Sequence, residues 1–191
     1  IMEKLAFRKP YQRFFKSFKR DNISFVVRKT DNKEKKLLDV LKKVPGTAIV
    51  YTRSRKRSQE LASFLNTHGF SALFYHAGLK HEVRNELQDA WIQNKNRIMV
   101  STNAFGMGID KPDVRLVVHM DLPENLEAYY QEAGRAGRDG KKSYATVLYD
   151  LADIDVLKEK TAKSNPVREY VDRVYTALMN YFQIAMGAGE G

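Results

Sequence analysis

The sequence predicts an α/β fold with a doubly wound parallel sheet and a C-terminal helical extension. Strand-like and helix-like segments alternate along the 191 residues, and the strand-like segments are continuous apolar runs. Such runs are typical of parallel strands that helices cover on both faces. The length suits one domain of this kind with an appendage.

Six apolar or β-rich runs separated by helix-like segments and turns are predicted to be strands. In chain order they are residues 23–28, 47–51, 72–75, 97–101, 114–119 and 143–149. The carboxyl ends of parallel strands meet at one edge of a sheet, and ligands gather there in doubly wound folds. Polar residues after these strands are therefore candidates for a binding site.

The segments between the predicted strands have apolar residues at helical spacing. The predicted helices are residues 33–44, 54–68, 80–94, 125–132 and 151–163. Ser54 is in position to cap the second helix and Gly69 to end it. Val83, Leu87 and Trp91 recur every four residues, so we expect them in the core.

The chain divides into three parts. Residues 1–22 show no clean period and are predicted to be a linker or N-terminal arm. Residues 23–163 form the α/β domain. Pro166 begins a last amphipathic helix in residues 164–191, a helical extension that we expect to lead to a following domain.

Composition excludes several classes of function. The chain has no cysteine, which excludes a disulfide scaffold, a cysteine-ligated zinc site and a thiol nucleophile. It contains no run of 18 apolar residues, so we expect no membrane span. The first residues, IMEKL, are not typical of a signal peptide, and we expect none. His76 and His81 lack a ligand partner at suitable spacing, and we expect no metal site in this chain.

Positive charge is concentrated in the first third of the chain. Residues 1–57 hold 18 Lys and Arg against 5 Asp and Glu, whereas the remainder holds 15 against 18. Aromatic residues are interleaved with this charge. A polyphosphate backbone would bind such a surface, although a solvated linker with docked aromatics explains the pattern equally well.

Polar turns follow four of the predicted strands, at residues 52–55, 76–78, 102–103 and 121. Hydroxyls and guanidinium groups at a helix start suit a phosphate. The alternative for the first turn is a capped helix with a solvated basic turn.

A glycine-containing segment, FGMGIDKP, covers residues 105–112. Its glycines permit a close backbone approach to a ligand, and Asp110 could accept from a ribose hydroxyl. It is not a dinucleotide fingerprint, because the third glycine is missing. An ordinary glycine turn is the alternative.

The strongest chemical signal is QEAGRAGRDG at residues 131–140. Arg135 and Arg138 are three apart and would project from one helical face, where paired guanidinium groups can neutralise phosphoryl oxygens. The alternative is that they form ion pairs with Glu132 and Asp139. The chain has no phosphate-loop sequence and no Asp-Glu dipeptide, so it has the features of half of an ATPase.

Five segments resemble motifs IV, V and VI of superfamily 2 helicases: IVYTRSR, YHAGL, STNAFGMGIDKPDVR, VVHMDLP and YYQEAGRAGRDG. The third and fifth together resemble the RecQ family of DNA helicases. This resemblance implies an ATP-dependent 3′-to-5′ DNA helicase with two RecA-like domains. The present chain would be the second of these, and the cofactors ATP and Mg²⁺ would be held mainly by the absent N-terminal domain.

The resemblance also assigns roles to residues. Arg138 would be the arginine finger, supported by Arg135 and Gln131, and Gly108 and Asp110 would lie near the nucleotide. The single-stranded DNA groove would be lined by Arg53, Ser54, Arg55, His76, Gly78, Ser101 and Thr102.

Further expectations follow from the same resemblance. The partners would be single-stranded and duplex DNA and the N-terminal RecA-like domain of the same polypeptide. The fragment alone would be inactive, and the protein would be cytoplasmic, nucleoid-associated in a bacterium or nuclear in a eukaryote. Many RecQ proteins continue into a four-cysteine zinc subdomain, which this chain lacks, so no zinc is expected here. An RNA helicase half and a catalytically silent nucleic-acid-binding module are the alternatives.

Overall fold

The computed structural model describes residues 19–106, 109–164 and 168–181. Strands and helices alternate through most of this length. In chain order they are β1 (Ile23–Lys29), α1 (Lys33–Lys43), β2 (Thr47–Tyr51), α2 (Arg55–Thr67), β3 (Ala72–Tyr75), α3 (His81–Ile92), β4 (Ile98–Ser101), β5 (Val114–His119), α4 (Leu126–Ala133), β6 (Ser143–Tyr149), α5 (Leu151–Ser164) and α6 (Arg168–Tyr181).

The six strands form one sheet in the order β1-β6-β5-β2-β4-β3. Every neighbouring pair runs parallel, which confirms the predicted fold class. The order reverses next to β2, as expected for a doubly wound sheet whose ligands gather at the carboxyl ends of the strands.

Helices cover both faces of the sheet because successive strand residues point in opposite directions. On one face, Leu37 and Leu41 of α1 and Leu61 and Leu65 of α2 pack against the sheet. On the other face, α3 contributes Trp91, and α4 and the turn after it contribute small alanines. These alanines allow the turn after α4 to approach the sheet closely.

Helix starts follow the sequence rules closely. Ser54 caps α2 as predicted, since its Oγ accepts from the backbone N–H of Arg57 at 3.1 Å. Asn125 caps α4 in the same way, with its Oδ1 accepting from Ala128 N at 2.8 Å. α4 therefore begins at a fixed residue, which sets the position of everything it carries.

The predicted core stripe on α3 is partly wrong. Trp91 is fully buried, but Val83 is 38% exposed. A helix of 12 residues is about 18 Å long, whereas the four-residue strands β3 and β4 are about 13 Å long. The first turn of α3 thus extends beyond the sheet.

The C-terminal extension is helical where it is described. The predicted start at Pro166 lies outside the described residues, and α6 begins at Arg168. Val174, one of the apolar residues of this helix, is 42% exposed. Among the helices in the described part of the chain, none has the length and apolar character to cross a membrane.

Candidate nucleotide cleft and nucleic-acid rim

The two signature arginines lie on a tight turn, residues 134–140, which we call the arginine turn. α4 ends at Ala133 with Gly134 as its C-cap, and the chain then doubles back against the sheet. Gly137 has φ +56°, and its backbone N–H donates to Val114 O at 2.8 Å. A Cβ on Gly137 would lie 2.5 Å from Asn22 Nδ2 and 2.8 Å from Lys141 O, so only glycine fits here.

Arg138 holds an exposed ion pair. Its Nη1 donates to Asp110 Oδ1 at 2.8 Å and to Ile109 O at 2.9 Å. The Arg138 side chain is 35% exposed and that of Asp110 is 85% exposed. An ion pair in contact with water contributes about 0–1 kcal/mol, so the guanidinium can leave Asp110 at little cost.

The alternative ion pairs considered for the arginines are wrong. Glu132 instead binds His119, with its Oε2 2.8 Å from Nε2. Asp139 binds Arg115, whose Nη2 donates to its Oδ2 at 2.6 Å. Neither carboxylate neutralises an arginine of the arginine turn.

Arg135 lies flat against Gly106. Its Nη1 donates to Gly106 O, and its buried Nε finds no hydrogen-bond partner among the described residues. Gly106 has φ +138°, and a Cβ there would lie 2.1 Å from Arg135 Cζ. The glycine therefore makes room for the guanidinium.

Of the other predicted nucleotide residues, the structure describes Gln131 and Asp110. Gln131 is exposed one helical turn before Arg135, with its Nε2 3.3 Å from Glu127 Oε1. Asp110 contacts Arg138, as described above. Gly108 lies outside the described residues.

Two buried polar side chains, Tyr51 and His119, support the site from below. The sequence did not assign them to it. The Tyr51 hydroxyl donates to Phe105 O at 3.1 Å, and burial raises the pKa of this phenol, so it remains a donor. Its ring stacks on His119, 5.2 Å away between centroids. His119 is 1% exposed. Together these contacts join β2 and β5 to the glycine segment and α4.

A second group of predicted residues lies at the carboxyl ends of β2, β3 and β4, which we call the rim. Arg53, Ser54 and Arg55 are exposed at the start of α2. Asp121, after β5, accepts from the backbone N–H of Arg53 at 2.8 Å. This bond orients the basic turn.

The structure brings Arg55, His76 and Gly78 together. A Cβ on Gly78 would lie 2.8 Å from Arg55 Nη1 and 3.3 Å from His76 Nδ1. His76 is 6% exposed; its Nε2 lies 3.2 Å from Gln59 Nε2. Its Nδ1 has no hydrogen-bond partner within the described ranges.

Ser101 and Thr102 lie beneath the rim rather than on its surface. Ser101 is fully buried and Thr102 is 9% exposed. Ser101 Oγ lies 2.8 Å from Tyr75 O and 2.7 Å from Thr102 O. These residues hold the ends of β3 and β4 together and so support the exposed groups above them.

The chain between β4 and β5 connects the two groups. It leaves the rim at Thr102, passes Gly106 and Asp110 beside the arginines, and enters β5 at Val114. One continuous segment thus contacts both candidate surfaces.

Comparison with known proteins identifies this arrangement. Residues 32–140 match the family model for the helicase conserved C-terminal domain, and this match covers more than half of the chain. The chain belongs to this family. The match of this helicase C-terminal domain includes both the rim and the arginine turn.

The relatives of this helicase C-terminal domain include RecQ-type DNA helicases, which confirms the resemblance. The chain is 43% identical over 157 residues to the RecQ-like DNA helicase blm-1 of Caenorhabditis elegans, covering 80% of the chain and 16% of the relative. It is 41% identical over 143 residues to the ATP-dependent DNA helicase RecQ of Bacillus subtilis, covering 74% and 24%. A protein of Acanthamoeba polyphaga mimivirus, R290, whose name describes an ATP-dependent RNA helicase, is 41% identical over 151 residues, covering 78% and 28%.

Solved structures of helicases share the fold of this domain. The RNA helicase Prp28 of Chaetomium thermophilum, bound to ADP, matches with a TM-score of 0.64 at 30% identity, covering 78% of the chain and 39% of Prp28. The C-terminal domain of the DEAD-box protein Dbp5 matches with a TM-score of 0.61 at 23% identity, covering 75% and 86%. The chain spans less than a third of the length of the three curated relatives named above.

Proposed function

We propose that this domain is the C-terminal motor domain of an ATP-dependent 3′-to-5′ DNA helicase. It supplies Arg138 as an arginine finger to an ATP site shared with an N-terminal RecA-like domain of the same polypeptide. The observation that carries the proposal is the exposed Arg138 guanidinium, held by a weak pair with Asp110 and one hydrogen bond to Ile109 O beside the glycine segment. The similarity to RecQ-type DNA helicases supports DNA as the substrate.

The energetics favour movement of the Arg138 guanidinium from Asp110 to a phosphoryl group. Leaving Asp110 costs up to about 1 kcal/mol, and leaving Ile109 O costs about 0.5–1.5 kcal/mol more. Stabilising the charge on a transferring phosphoryl group is worth a factor of about 10³–10⁵ in rate, or about 4–7 kcal/mol. Arg138 therefore gains far more at a phosphate than it loses at the carboxylate.

Arg135 and Gln131 have supporting roles. Arg135 is half-buried and bonded to Gly106 O, so it keeps the glycine segment and the arginine turn in register. Gln131 is exposed, and we assign its amide to the same proposed ATP site. Gly108 and Asp110 belong to the same proposed site.

The donor set fits the phosphates of ATP, and the buried Nε of Arg135 is a donor without a partner in the described residues. Bound ATP would supply the phosphoanhydride bond whose hydrolysis drives movement. The described residues contain no group of three His, Asp or Glu that could hold a metal ion. We therefore assign Mg²⁺ to the N-terminal domain, and this chain alone is expected to be inactive.

The rim is the proposed grip on the DNA backbone. Arg53 and Arg55 are exposed and carry the charge that phosphate contacts require. Ser54, His76 and Gly78 shape the surface around them, and Ser101 and Thr102 hold it from beneath. A grip on the backbone allows movement along any sequence, since phosphates carry no sequence information.

The test uses the full-length protein. We expect ATP hydrolysis that single-stranded DNA stimulates, and unwinding of a DNA duplex with a 3′ tail but not of one with a 5′ tail. Unwinding of matched RNA duplexes alone would favour an RNA helicase, the reading supported by the mimivirus relative and Prp28. Nucleic-acid binding without any hydrolysis would identify a silent binding module.

A further inference from the structure

The arginine turn is held by a residue from the segment before β1. Arg20 Nη2 donates to Gly137 O at 2.7 Å and to Ala136 O at 3.1 Å, and its Nη1 approaches Gly134 O at 3.5 Å. These carbonyls belong to the C-cap of α4 and to the turn that follows it, and a guanidinium offers several donors in one fork that can bond such neighbouring carbonyls. Arg20 does so for three carbonyls at once.

Asn22 completes the contact. Its Nδ2 donates to Gly137 O at 2.7 Å and to Lys141 O at 3.0 Å. Its own carbonyl accepts from Ser143 N at 2.9 Å. The segment before β1, predicted as part of a linker, is thus bonded across the whole arginine turn.

The bonded carbonyls surround the functional side chains. Those of Gly134, Ala136 and Gly137 flank Arg135 and directly precede Arg138. Fixing these peptide planes fixes the directions in which the two arginine side chains leave the backbone. A guanidinium held in a fixed fork can impose such geometry, whereas a point charge cannot.

We propose that Arg20 is a positioning residue for the arginine finger: it holds the arginine turn so that Arg138 reaches the phosphoryl group. The proposal rests on the function proposed above. Arg20 acts through the backbone of residues 134–137 and needs no contact with nucleotide or DNA.

The chain offers a matched control, Arg97. Its Nε donates to Gly46 O at 2.9 Å and its Nη2 donates to Leu41 O at 2.5 Å and Val44 O at 2.7 Å. Arg97 therefore also holds three carbonyls near a helix end, and both arginines are half-buried. Its site, at the end of α1, contains no proposed catalytic group.

The experiment compares Arg20→Gln and Arg97→Gln in the full-length protein. Misplacing a catalytic group by about 1 Å costs about 100-fold in rate, so we expect Arg20→Gln to lower kcat for ATP hydrolysis about 100-fold. The KM for ATP and the affinity for single-stranded DNA should remain near wild type. Arg97→Gln should lower the melting temperature similarly and leave kcat near wild type.

Two further measurements distinguish failure of the positioning role of Arg20 from failure of the proposed function of Arg138. Amide hydrogen exchange in residues 134–141 should accelerate in Arg20→Gln and not in Arg97→Gln, whatever the catalytic role of Arg138. Equal losses of kcat in the two variants, or unchanged exchange, would overturn the positioning role. Normal turnover in Arg138→Ala would instead refute the arginine finger.

Milder variants cover the case in which Arg20→Gln does not fold. Arg20→Lys keeps the charge but loses the fork, and Asn22→Ala removes the bonds of the Asn22 side chain to Gly137 O, Lys141 O and Arg20 Nε. Both should reduce kcat to an intermediate extent at unchanged KM. Full turnover in both would overturn the proposal.

Discussion

Removing the Arg138 guanidinium should separate catalysis from stability. In Arg138→Ala the ion pair with Asp110 and the bond to Ile109 O are lost. Asp110 is 85% exposed and can be hydrated in the variant, whereas Ile109 is 6% exposed and its carbonyl loses one hydrogen bond. An exposed ion pair is worth about 0–1 kcal/mol and a hydrogen bond about 0.5–1.5 kcal/mol, so we expect the free energy of unfolding to fall by at most about 2.5 kcal/mol. For a domain of this size that is a shift of at most about 10 °C in melting temperature.

The effect on turnover should be far larger. Loss of an arginine finger removes about 4–7 kcal/mol of transition-state stabilisation, a factor of about 10³–10⁵ in kcat. The assay is ATP hydrolysis by the full-length protein at saturating single-stranded DNA, with thermal unfolding of the same preparations. The affinity for DNA should remain near that of the wild type.

Arg57→Ala is the control, since Arg57 pairs with Glu34 and is similarly exposed, at 41%. It lies on α2, against the opposite face of the sheet from the arginine turn, so its loss should leave saturated turnover unchanged. An arginine finger contributes a factor of about 10³–10⁵ to kcat. If Arg138→Ala lowers kcat by less than about tenfold, the proposed role of Arg138 is refuted.

Three further outcomes are expected. Gly106→Ala should lower kcat, because the new Cβ would lie 2.1 Å from Arg135 Cζ at φ +138°; unchanged hydrolysis would contradict that role of the glycine. Arg55→Ala should weaken single-stranded DNA binding and reduce the slope of log affinity against log salt by about 1; titrations at several salt concentrations that give an unchanged slope would remove Arg55 from the interface. The hydrogen bond from Arg115 holds the pKa of Asp139 below its ordinary 3.8, so this contribution to stability is complete above that pH and is lost as pH falls through the lower folded-state pKa. Arg115→Gln should therefore flatten the acid side of the stability curve in denaturant titrations, and an identical acid dependence would exclude the pair as its cause.

The fold could be predicted because its signals are local. β2 and the centre of β5, Leu116–Val118, are apolar runs typical of a doubly covered parallel sheet, and Ser54 and Asn125 stand where helix caps are needed. The order of the strands could not be predicted in this way. It depends on pairing between segments far apart in sequence, such as β1 with β6.

The candidate site was predictable only in part. Arg135 and Arg138 could be found because two glycines and two arginines repeat within one short segment. Nothing local indicated Arg20, whose bonds to the arginine turn span more than 110 residues of sequence.

Residue type also misleads about exposure. Lys111 is charged, yet it is 4% exposed, because Ile92 O at 3.0 Å, Asn94 Oδ1 at 2.8 Å and Asp113 Oδ1 at 3.0 Å accept its ammonium protons. Ser101 is a small hydroxyl at a strand tip, where sequence alone cannot show whether it faces solvent or a neighbouring carbonyl. Tertiary contacts decide both cases.

The pairing of β1 with β6 sets the smallest fragment that should be expressed. The family match covers residues 32–140, but β1 and β6 pair from Ile23 with Ser143 to Lys29 with Tyr149, outside those limits. A recombinant piece trimmed to the match would lose two of six strands and leave the β6-facing edge of β5 without a partner. An open edge of this kind pairs with other molecules and promotes aggregation. Expression boundaries should therefore enclose at least residues 19–149, which also retain the side chains that brace the arginine turn.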